Sequence, residues 1–273
     1  VMEIVNSYSD KFQQVSIDEA YLDVSDKCIN FKEVRDLAEK LKEEVHKKVG
    51  ITISVGCAPT KSIAKIASDY NKPNGITIVE QYQIKDFLKD LDITKIPGIG
   101  KKSKIYYNKK GIKTIGDIIN LTLPKMIQFF GKNGKLAWNI ANGLDNREVK
   151  EFTAERRSIS KERTFYEDTS DFMLILSKLD KINELIHEYV YKNKIYYKTV
   201  SLKIRLEGFL TYTRAHSFIH HIQDRKKVLQ VITELAAQFS AMNKKVRLVG
   251  IKLSNLKKSP NTSQKTIITY LKN

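Results

Sequence analysis

Residues 13–25 read QQVSIDEAYLDVS, and the expected structure of the first third of the chain follows from this stretch. Apolar and polar residues alternate on both sides of an acidic centre, which predicts two short strands that meet near Asp18, Glu19 and Ala20. Adjacent residues of a regular strand point to opposite faces of its sheet, but at the tip of a hairpin they can converge. The stretch therefore predicts a β-hairpin with two carboxylates at its tip.

This acidic pair is the sharpest chemical signal in the chain. Two carboxylates and several waters suit Mg²⁺, a hard cation that takes oxygen ligands and usually sits beside substrate phosphates. An isolated Asp-Glu pair also occurs in ordinary acidic turns, so Asp18 and Glu19 by themselves leave both interpretations open.

Downstream of the hairpin, the sequence predicts an α/β layer. Apolar residues recur at helical spacing, a β-branched run follows, and a second helix leads into another strand. These elements are expected at residues 31–48, 51–57, 59–70 and 75–79. Residues 80–146 predict an all-helical region, and the charged, hydrophobe-poor residues 147–157 predict a linker.

The segment after the linker, residues 158–256, predicts the element order β-α-β-β-α-β, the ferredoxin-like arrangement of a four-stranded sheet with two helices on one face. In its second strand every other residue is apolar, and Ser201, Lys203 and Arg205 lie between the apolar ones. We expect the helices to cover the apolar side and to leave a basic face open. The predicted fold class is α+β with several domains.

The charge of the chain indicates polyanionic partners. It has 48 basic and 31 acidic residues, a net charge of +17, but residues 1–80 have 11 basic and 13 acidic ones. The positive excess therefore lies beyond residue 80, as in proteins that bind nucleic acid. A lysine-rich composition that merely keeps the protein dissolved is the alternative.

Composition also excludes several classes of protein. A content of 41% hydrophobic and 29% charged residues is typical of a globular chain. No apolar run approaches the roughly 18 residues of a membrane span, and the N-terminus lacks the features of a signal peptide, so no membrane association and a cytoplasmic location are expected. Two cysteines, Cys28 and Cys57, exclude a disulfide framework and a cysteine-rich zinc module.

Two further segments place positive charge where phosphates are expected. Lys72 lies in a turn that Pro73 and Gly75 shape, and Lys61 and Lys65 are one helical turn apart on the preceding helix. Lysines in this arrangement predict point charges for phosphate oxygens, with a solvated helix face as the alternative.

The second segment is IPGIGK, residues 96–101, followed by a predicted helix. Its glycines, Gly98 and Gly100, predict a helix-hairpin-helix whose backbone N–H groups approach DNA phosphates without reading sequence. Lys101, Lys102 and Lys104 would add counterion-releasing contacts.

Together these motifs resemble those of the Y-family translesion DNA polymerases, with the polymerase IV group as the most similar branch. The resemblance rests on SIDEAYLD at 16–23, VGC at 55–57, KSIAKIASD at 61–69, KPNG at 72–75 and IPGIG at 96–100. It extends in order from about residue 1 to 255. It implies a palm at 1–79, a thumb at 80–146, a linker at 147–157, a little finger at 158–256 and a flexible tail at 257–273.

The resemblance also implies roles for individual residues. Asp18 and Glu19 would be catalytic and bind two Mg²⁺ ions, and Lys72 would contact the incoming deoxynucleoside triphosphate. The residues expected to hold primer-template DNA are Lys61, Lys65, Gly98, Gly100, Lys101, Lys102, Lys104, Arg156, Arg157, Lys161, Arg163, Lys203 and Arg205. The protein is expected to be a monomer.

The chain departs from the family pattern at its beginning. A third metal-binding aspartate, an aromatic steric gate and Tyr/Arg triphosphate contacts are missing from a sequence that opens at Val1. We therefore expect a fragment that binds DNA and synthesises it poorly or not at all. A non-catalytic DNA- and clamp-binding module is the alternative function, and a nuclease is a distant third.

The tail contains a separate motif. Residues 264–271, QKTIITYL, resemble a sliding-clamp-binding peptide, in which Gln264, Ile267, Tyr270 and Leu271 would contact the clamp. A frayed terminus is the alternative.

Overall fold

The computed structural model describes residues 1–150, 156–239, 242 and 244–258. The chain forms two units, Val1–Thr153 and Ala154–Asn273. None of the helices in the described ranges combines the length and the apolarity that a bilayer crossing requires.

The first unit begins with the predicted hairpin, which the structure confirms. A short helix, α1 (Met2–Asn6), precedes strands β1 (Lys11–Gln14) and β2 (Ala20–Asp23). The two strands are antiparallel, and Gln14 lies opposite Ala20. Asp18 and Glu19 therefore belong to the connection at the tip, as the sequence predicts.

An α/β layer follows the hairpin. Helix α2 (Phe31–Val49) starts where the Asn30 side chain accepts the Glu33 N–H, and it ends at Gly50, whose φ of 75° is left-handed. Strand β3 (Val55–Cys57) pairs in parallel with β4 (Ile76–Ile78), and α3 (Lys61–Tyr70) connects them. The strand predicted at 51–57 is shorter than expected because its partner β4 has only three residues.

The rest of the first unit is helical, as predicted. It contains α4 (Ile84–Leu88), α5 (Lys101–Asn108), α6 (Ile115–Ile119) and α7 (Leu123–Ala141), with single turns of 3-10 helix at Gln81–Gln83 and Ile93–Lys95. The buried side chains of α3 and of this helical region form one apolar cluster. Helix α3 therefore shares its apolar core with helices α4 to α7.

The second unit has the predicted element order β-α-β-β-α-β. Its strands are β5 (Ser158–Thr169), β6 (Ile195–Leu206), β7 (Thr211–Ile222) and β8 (Val246–Lys258), and its helices are α8 (Phe172–Lys192) and α9 (Arg225–Ala237). In space the strands lie in the order β5-β8-β6-β7, all antiparallel to their neighbours. The last strand is therefore inserted between the first and the second.

The alternation predicted for the second strand of this sheet is confirmed. Ile195 and Tyr197 are buried in the core with α8 and α9, before a register shift between Tyr197 and Thr199. Val200, Leu202, Ile204 and Leu206 are buried in the same core. Ser201, Lys203 and Arg205 lie between them on the opposite face.

Candidate active site

The hairpin tip is closed by short-range hydrogen bonds that present Asp18 to solvent. The backbone N–H groups of Val15 and Ser16 donate to the Glu19 carbonyl, at 2.9 and 3.2 Å. The Ser16 hydroxyl donates to Asp18 Oδ1 at 2.5 Å. This hydrogen bond, then the Asp18 backbone N–H and the charges of Lys65 and Lys72, hold the pKa of Asp18 below its usual range. Asp18 is therefore an exposed carboxylate at neutral pH.

Glu19 begins an ion-pair network that also contains Lys65, Asp69 and Lys72. Lys65 Nζ lies 2.6 Å from Glu19 Oε1 and 3.0 Å from Asp69 Oδ2, and Lys72 Nζ lies 2.5 Å from Asp69 Oδ1. Burial would lower the pKa of Lys65, but its hydrogen bonds to Glu19 and Asp69 raise it above the usual value. The network joins the hairpin tip to the turn that follows α3.

That turn holds the Lys72 backbone in place. A Cβ added to Gly75 would lie 2.0 Å from the Asn71 carbonyl oxygen, so only glycine fits there. The Asn71 side chain donates to Thr77 Oγ1 at 3.1 Å, and the Lys42 ammonium donates to the Asn74 carbonyl. The Lys72 side chain itself is about half exposed, so its ammonium group is accessible to a ligand.

Lys61 also faces the hairpin. Its Nζ donates to Gln13 Oε1 at 2.5 Å and to the Glu148 carbonyl at 3.2 Å, and it lies 5.0 Å from the centre of the Tyr21 ring. Burial, followed by the charge of Arg147, lowers the pKa of Lys61. The structure thus brings all three predicted lysines of this region to the hairpin, rather than placing Lys61 and Lys65 on a solvated helix face.

A buried group that the sequence did not predict anchors the start of α3. Asp145 Oδ2 accepts a hydrogen bond of 2.5 Å from the Ser62 hydroxyl, and Asp145 Oδ1 accepts one of 2.7 Å from Arg147 Nε. Burial would raise the pKa of Asp145, but the hydrogen bonds from Arg147 and Ser62 lower it to about 2. No sequence signal links these residues, because Ser62 and Asp145 are 83 positions apart.

The loop predicted to bind DNA phosphates leads into helix α5. Gly98 has a φ of 98°, and α5 begins after Gly100 without a side-chain cap, so no side chain occupies its first N–H groups. Lys101 and Lys102 are exposed. Lys104 differs, since its ammonium donates to Asp92, whose pKa is held at about 2 chiefly by this bond.

The basic residues predicted for the second unit lie on two faces of its sheet. Lys161 pairs in register with Ile251 on the face that the helices cover, and Arg163 follows on the same face at the edge strand. Lys203 and Arg205 lie on the open face. Lys161 and Arg163 therefore do not lie on the basic face that contains Lys203 and Arg205.

Their local contacts differ as well. Lys203 Nζ lies 2.8 Å from Glu162 Oε1, and Arg205 Nε donates to Thr211 Oγ1 at 3.0 Å. Arg156 lies 5.0 Å from the centre of the Tyr189 ring on α8, and Arg157 is exposed. The open face is therefore partly neutralised by its own glutamate.

The donor set at the hairpin fits part of a magnesium site. Within the described residues, no group of three or more His, Cys, Asp or Glu side chains has an arrangement that could hold a metal ion by itself. Asp18 and Glu19 supply carboxylate oxygens, and Mg²⁺ is commonly held by one or two carboxylates together with waters and substrate phosphates.

The predicted clamp contacts Gln264, Ile267, Tyr270 and Leu271 lie outside the described residues.

Comparison with known proteins places this geometry in context. Two family models match the chain: the impB/mucB/samB family over residues 1–69 and the impB/mucB/samB family C-terminal domain over residues 156–267. A DNA polymerase IV 2 from Methanosarcina mazei is 36% identical over 98% of this chain and 72% of its own length. A DNA polymerase IV from Clostridium perfringens is 34% identical over 99% of this chain and 75% of its own length.

The chain is also similar to solved structures of Y-family DNA polymerases. A Y-family DNA polymerase chimera of Dbh and Dpo4 is similar with a TM-score of 0.82 and 31% identity, over 94% of this chain and 74% of that chain. An insertion ternary complex of Dbh DNA polymerase is similar with a TM-score of 0.55 and 30% identity, over the same 94% of this chain and 74% of the other.

Proposed function

Since the chain belongs to the impB/mucB/samB family of Y-family DNA polymerases and is a translesion DNA polymerase, we propose that its nucleotidyl transfer takes place at the hairpin tip. The observation that carries this proposal is the ion-pair network that runs from Glu19, next to Asp18 at the hairpin tip, through Lys65 and Asp69 to Lys72.

Asp18 and Glu19 would hold the two Mg²⁺ ions. When bound, such ions activate the primer hydroxyl and neutralise charge that develops on the transferred phosphoryl group. The role of the chain is to supply ionised oxygens at the right place. The Ser16 hydroxyl and the nearby lysines favour the charged form of Asp18, because they lower its pKa.

The lysines would orient the phosphates of the substrates. Lys72 stands on a turn whose backbone is fixed, so its ammonium can act as a point charge on the incoming triphosphate. Lys61 has no carboxylate within ion-pair distance among the described residues, so its charge is available to the template-primer backbone beside the hairpin. Lys65 is shared between two acids and would orient them.

Primer-template DNA would be held at further places in both units. Backbone N–H groups after Gly98 and Gly100, with Lys101 and Lys102, would contact phosphates without reading sequence. In the second unit, Lys203 and Arg205 on the open face and Arg156, Arg157, Lys161 and Arg163 near the edge strand would add salt-dependent contacts. A sliding clamp bound by the tail stays a prediction.

Primer extension by the full-length gene product tests the catalytic assignment. The Asp18→Ala variant is expected to lose about three orders of magnitude in single-turnover rate, because metal stabilisation of transition-state charge is worth several kcal/mol. Asp26→Ala is the control, since Asp26 lies in the same region but pairs with Lys11. Full activity of the Asp18→Ala variant would remove the assignment.

A non-catalytic DNA-binding module is the second candidate. It is favoured by the absence, within the described ranges, of a three-ligand acidic cluster. It predicts duplex affinity that falls steeply with salt, together with no extension by wild type or by the Asp18→Ala variant. A salt titration tests the phosphate contacts that both functions share, and primer extension by the wild type separates the two functions.

A further inference from the structure

The ion-pair network links the proposed metal site to the proposed triphosphate contact through shared groups. Both carboxylate oxygens of Asp69 are used, Oδ2 by Lys65 at 3.0 Å and Oδ1 by Lys72 at 2.5 Å. Lys65 is shared in turn between Asp69 and Glu19, at 3.0 and 2.6 Å. Glu19 is therefore connected to Lys72 through three successive ion pairs. A change in the charge of Glu19 would alter the pairing of Lys65 with Asp69, and through Asp69 the pairing of Lys72.

The direction of this effect follows from competition for charge. A divalent cation on Glu19 would displace the ammonium of Lys65 from that carboxylate. Among the described residues, Asp69 is the other carboxylate within ion-pair distance of Lys65, so the displaced ammonium would interact more strongly with Asp69. The hold of Asp69 on Lys72 would then weaken, since one negative charge serves both lysines.

The backbone around the network is well held, so the adjustment is confined to side chains. Lys65 and Asp69 face each other at i,i+4 on α3, whose start is fixed by Ser62 and Asp145. The turn that carries Lys72 is fixed by Lys42 at the Asn74 carbonyl. All four charged side chains remain partly exposed, with exposed fractions from 25% to 55%, and can therefore exchange partners.

We infer that Asp69 is a positioning residue, which couples cation binding at Glu19 to the release of Lys72 for the triphosphate. The inference rests on the proposed roles of Glu19 and Lys72. Because coupling between sites is reciprocal, phosphate binding at Lys72 would also free Glu19 for the cation. In the absence of the cation and the phosphate, Lys65 neutralises the charge of Glu19 and Asp69 neutralises the charge of Lys72.

The test measures binding of inorganic tripolyphosphate to the full-length protein in the presence of EDTA, by calorimetry at low salt. The difference in tripolyphosphate affinity between the wild type and the Lys72→Met variant measures the binding that depends on Lys72. Glu19→Gln imitates a neutralised Glu19 and is expected to increase the Lys72-dependent affinity by about fivefold, the lower range of allosteric couplings. In the Asp69→Asn background, Glu19→Gln is expected to have almost no further effect.

The double-mutant cycle separates coupling from a simple loss of negative charge. If the effects of Glu19→Gln and Asp69→Asn on log affinity add, the coupling does not exist and the inference is overturned. Asp26→Asn measures the general effect of removing one acid from this unit, and Glu19→Gln must exceed it. Asp69→Glu keeps the charge, so it is expected to restore most of the Glu19 dependence.

Failure of the proposed function would look different. If Lys72→Met leaves tripolyphosphate affinity unchanged, Lys72 does not contact phosphates, and both the role and the inference fail. If Lys72→Met weakens binding but the cycle is additive, only the coupling fails. Thermal unfolding of each variant at the same pH shows whether the fold is kept, so that a binding change in a folded variant is assigned to the network.

Discussion

The hairpin of the first unit and the four-stranded sheet of the second unit are both antiparallel β-structure, but they are stabilised in different ways. The hairpin strands have four residues each, and none of those residues is fully buried. Strand β6 has 12 residues, and six of them are buried between the sheet and two helices. The sheet is held by apolar burial, whereas the hairpin tip is held by hydrogen bonds and ion pairs.

This difference matches what each region is proposed to do. Apolar packing gives a rigid scaffold, because close-packed side chains have few alternative arrangements. Partly exposed ion pairs contribute little net stability, but their partners can be replaced by a metal ion or a phosphate. The weakly stabilised region is thus the one in which ligands can change the contacts.

The largest expected effect concerns apolar burial in the two regions. Leu202→Ala in β6 is expected to cost about 3 kcal/mol of unfolding free energy, because it removes a fully buried side chain and leaves a cavity. Leu22→Ala in β2 is expected to cost about 1 kcal/mol, since Leu22 is only partly buried. Urea unfolding followed by circular dichroism measures both, and equal costs would contradict the comparison.

A smaller effect is expected from Asp145, a buried acid that supports the start of α3. The folded pKa of Asp145, about 2, is below its unfolded value near 3.8, so Asp145 stabilises the fold above pH 4. This stability, about 2 kcal/mol by linkage, is lost as the pH falls from 4 towards 2. Asp145→Asn is expected to destabilise the protein at pH 7 and much less near pH 2.5. Urea unfolding at both pH values measures this, and a difference independent of pH would contradict it.

Two lysines of the helical region, one exposed and one paired with an acid, are expected to contribute differently to DNA binding. Lys101→Ala is expected to reduce the slope of log affinity against log salt for duplex binding by about 1, the contribution of one phosphate contact. Lys104→Ala should change the slope by less, because Asp92 already neutralises Lys104. Fluorescence anisotropy at several salt concentrations measures the slopes, and the reverse order would show that the Lys104–Asp92 pair opens on DNA.

The smallest effect is expected at a histidine in the core of the second unit. His187 contacts the Asn183 carbonyl and the Tyr197 hydroxyl, at 2.9 and 2.7 Å, and burial lowers its pKa below 6.5. The folded state thus binds a proton less readily than the unfolded chain, so stability falls as the pH drops below 6.5. His187→Gln should lose less stability between pH 7.5 and 5.5. Thermal unfolding at both pH values measures the difference, and an equal loss in wild type and variant would argue against it.

Much of the candidate site was predictable because its signals are local. The alternation around Asp18 and Glu19 predicted a hairpin tip, and the Pro and Gly of the next turn predicted a fixed Lys72. The roles of Asp69 and Asp145 were not predictable. Asp69 matters through Lys65 and Glu19, which are 46 positions apart, and Asp145 through Ser62, which is 83 positions away.

Local sequence patterns were sufficient to predict the kind and order of the elements, the position of the acidic pair and the charge of the later segments. These properties depend on neighbouring residues, whose periodicity and turn preferences act over a few positions. The folded chain was needed to show that β8 lies between β5 and β6, and that Lys161 and Lys203 belong to opposite faces of the sheet. Strand order, register and ion pairing join residues far apart in the chain, so packing of the whole unit selects them.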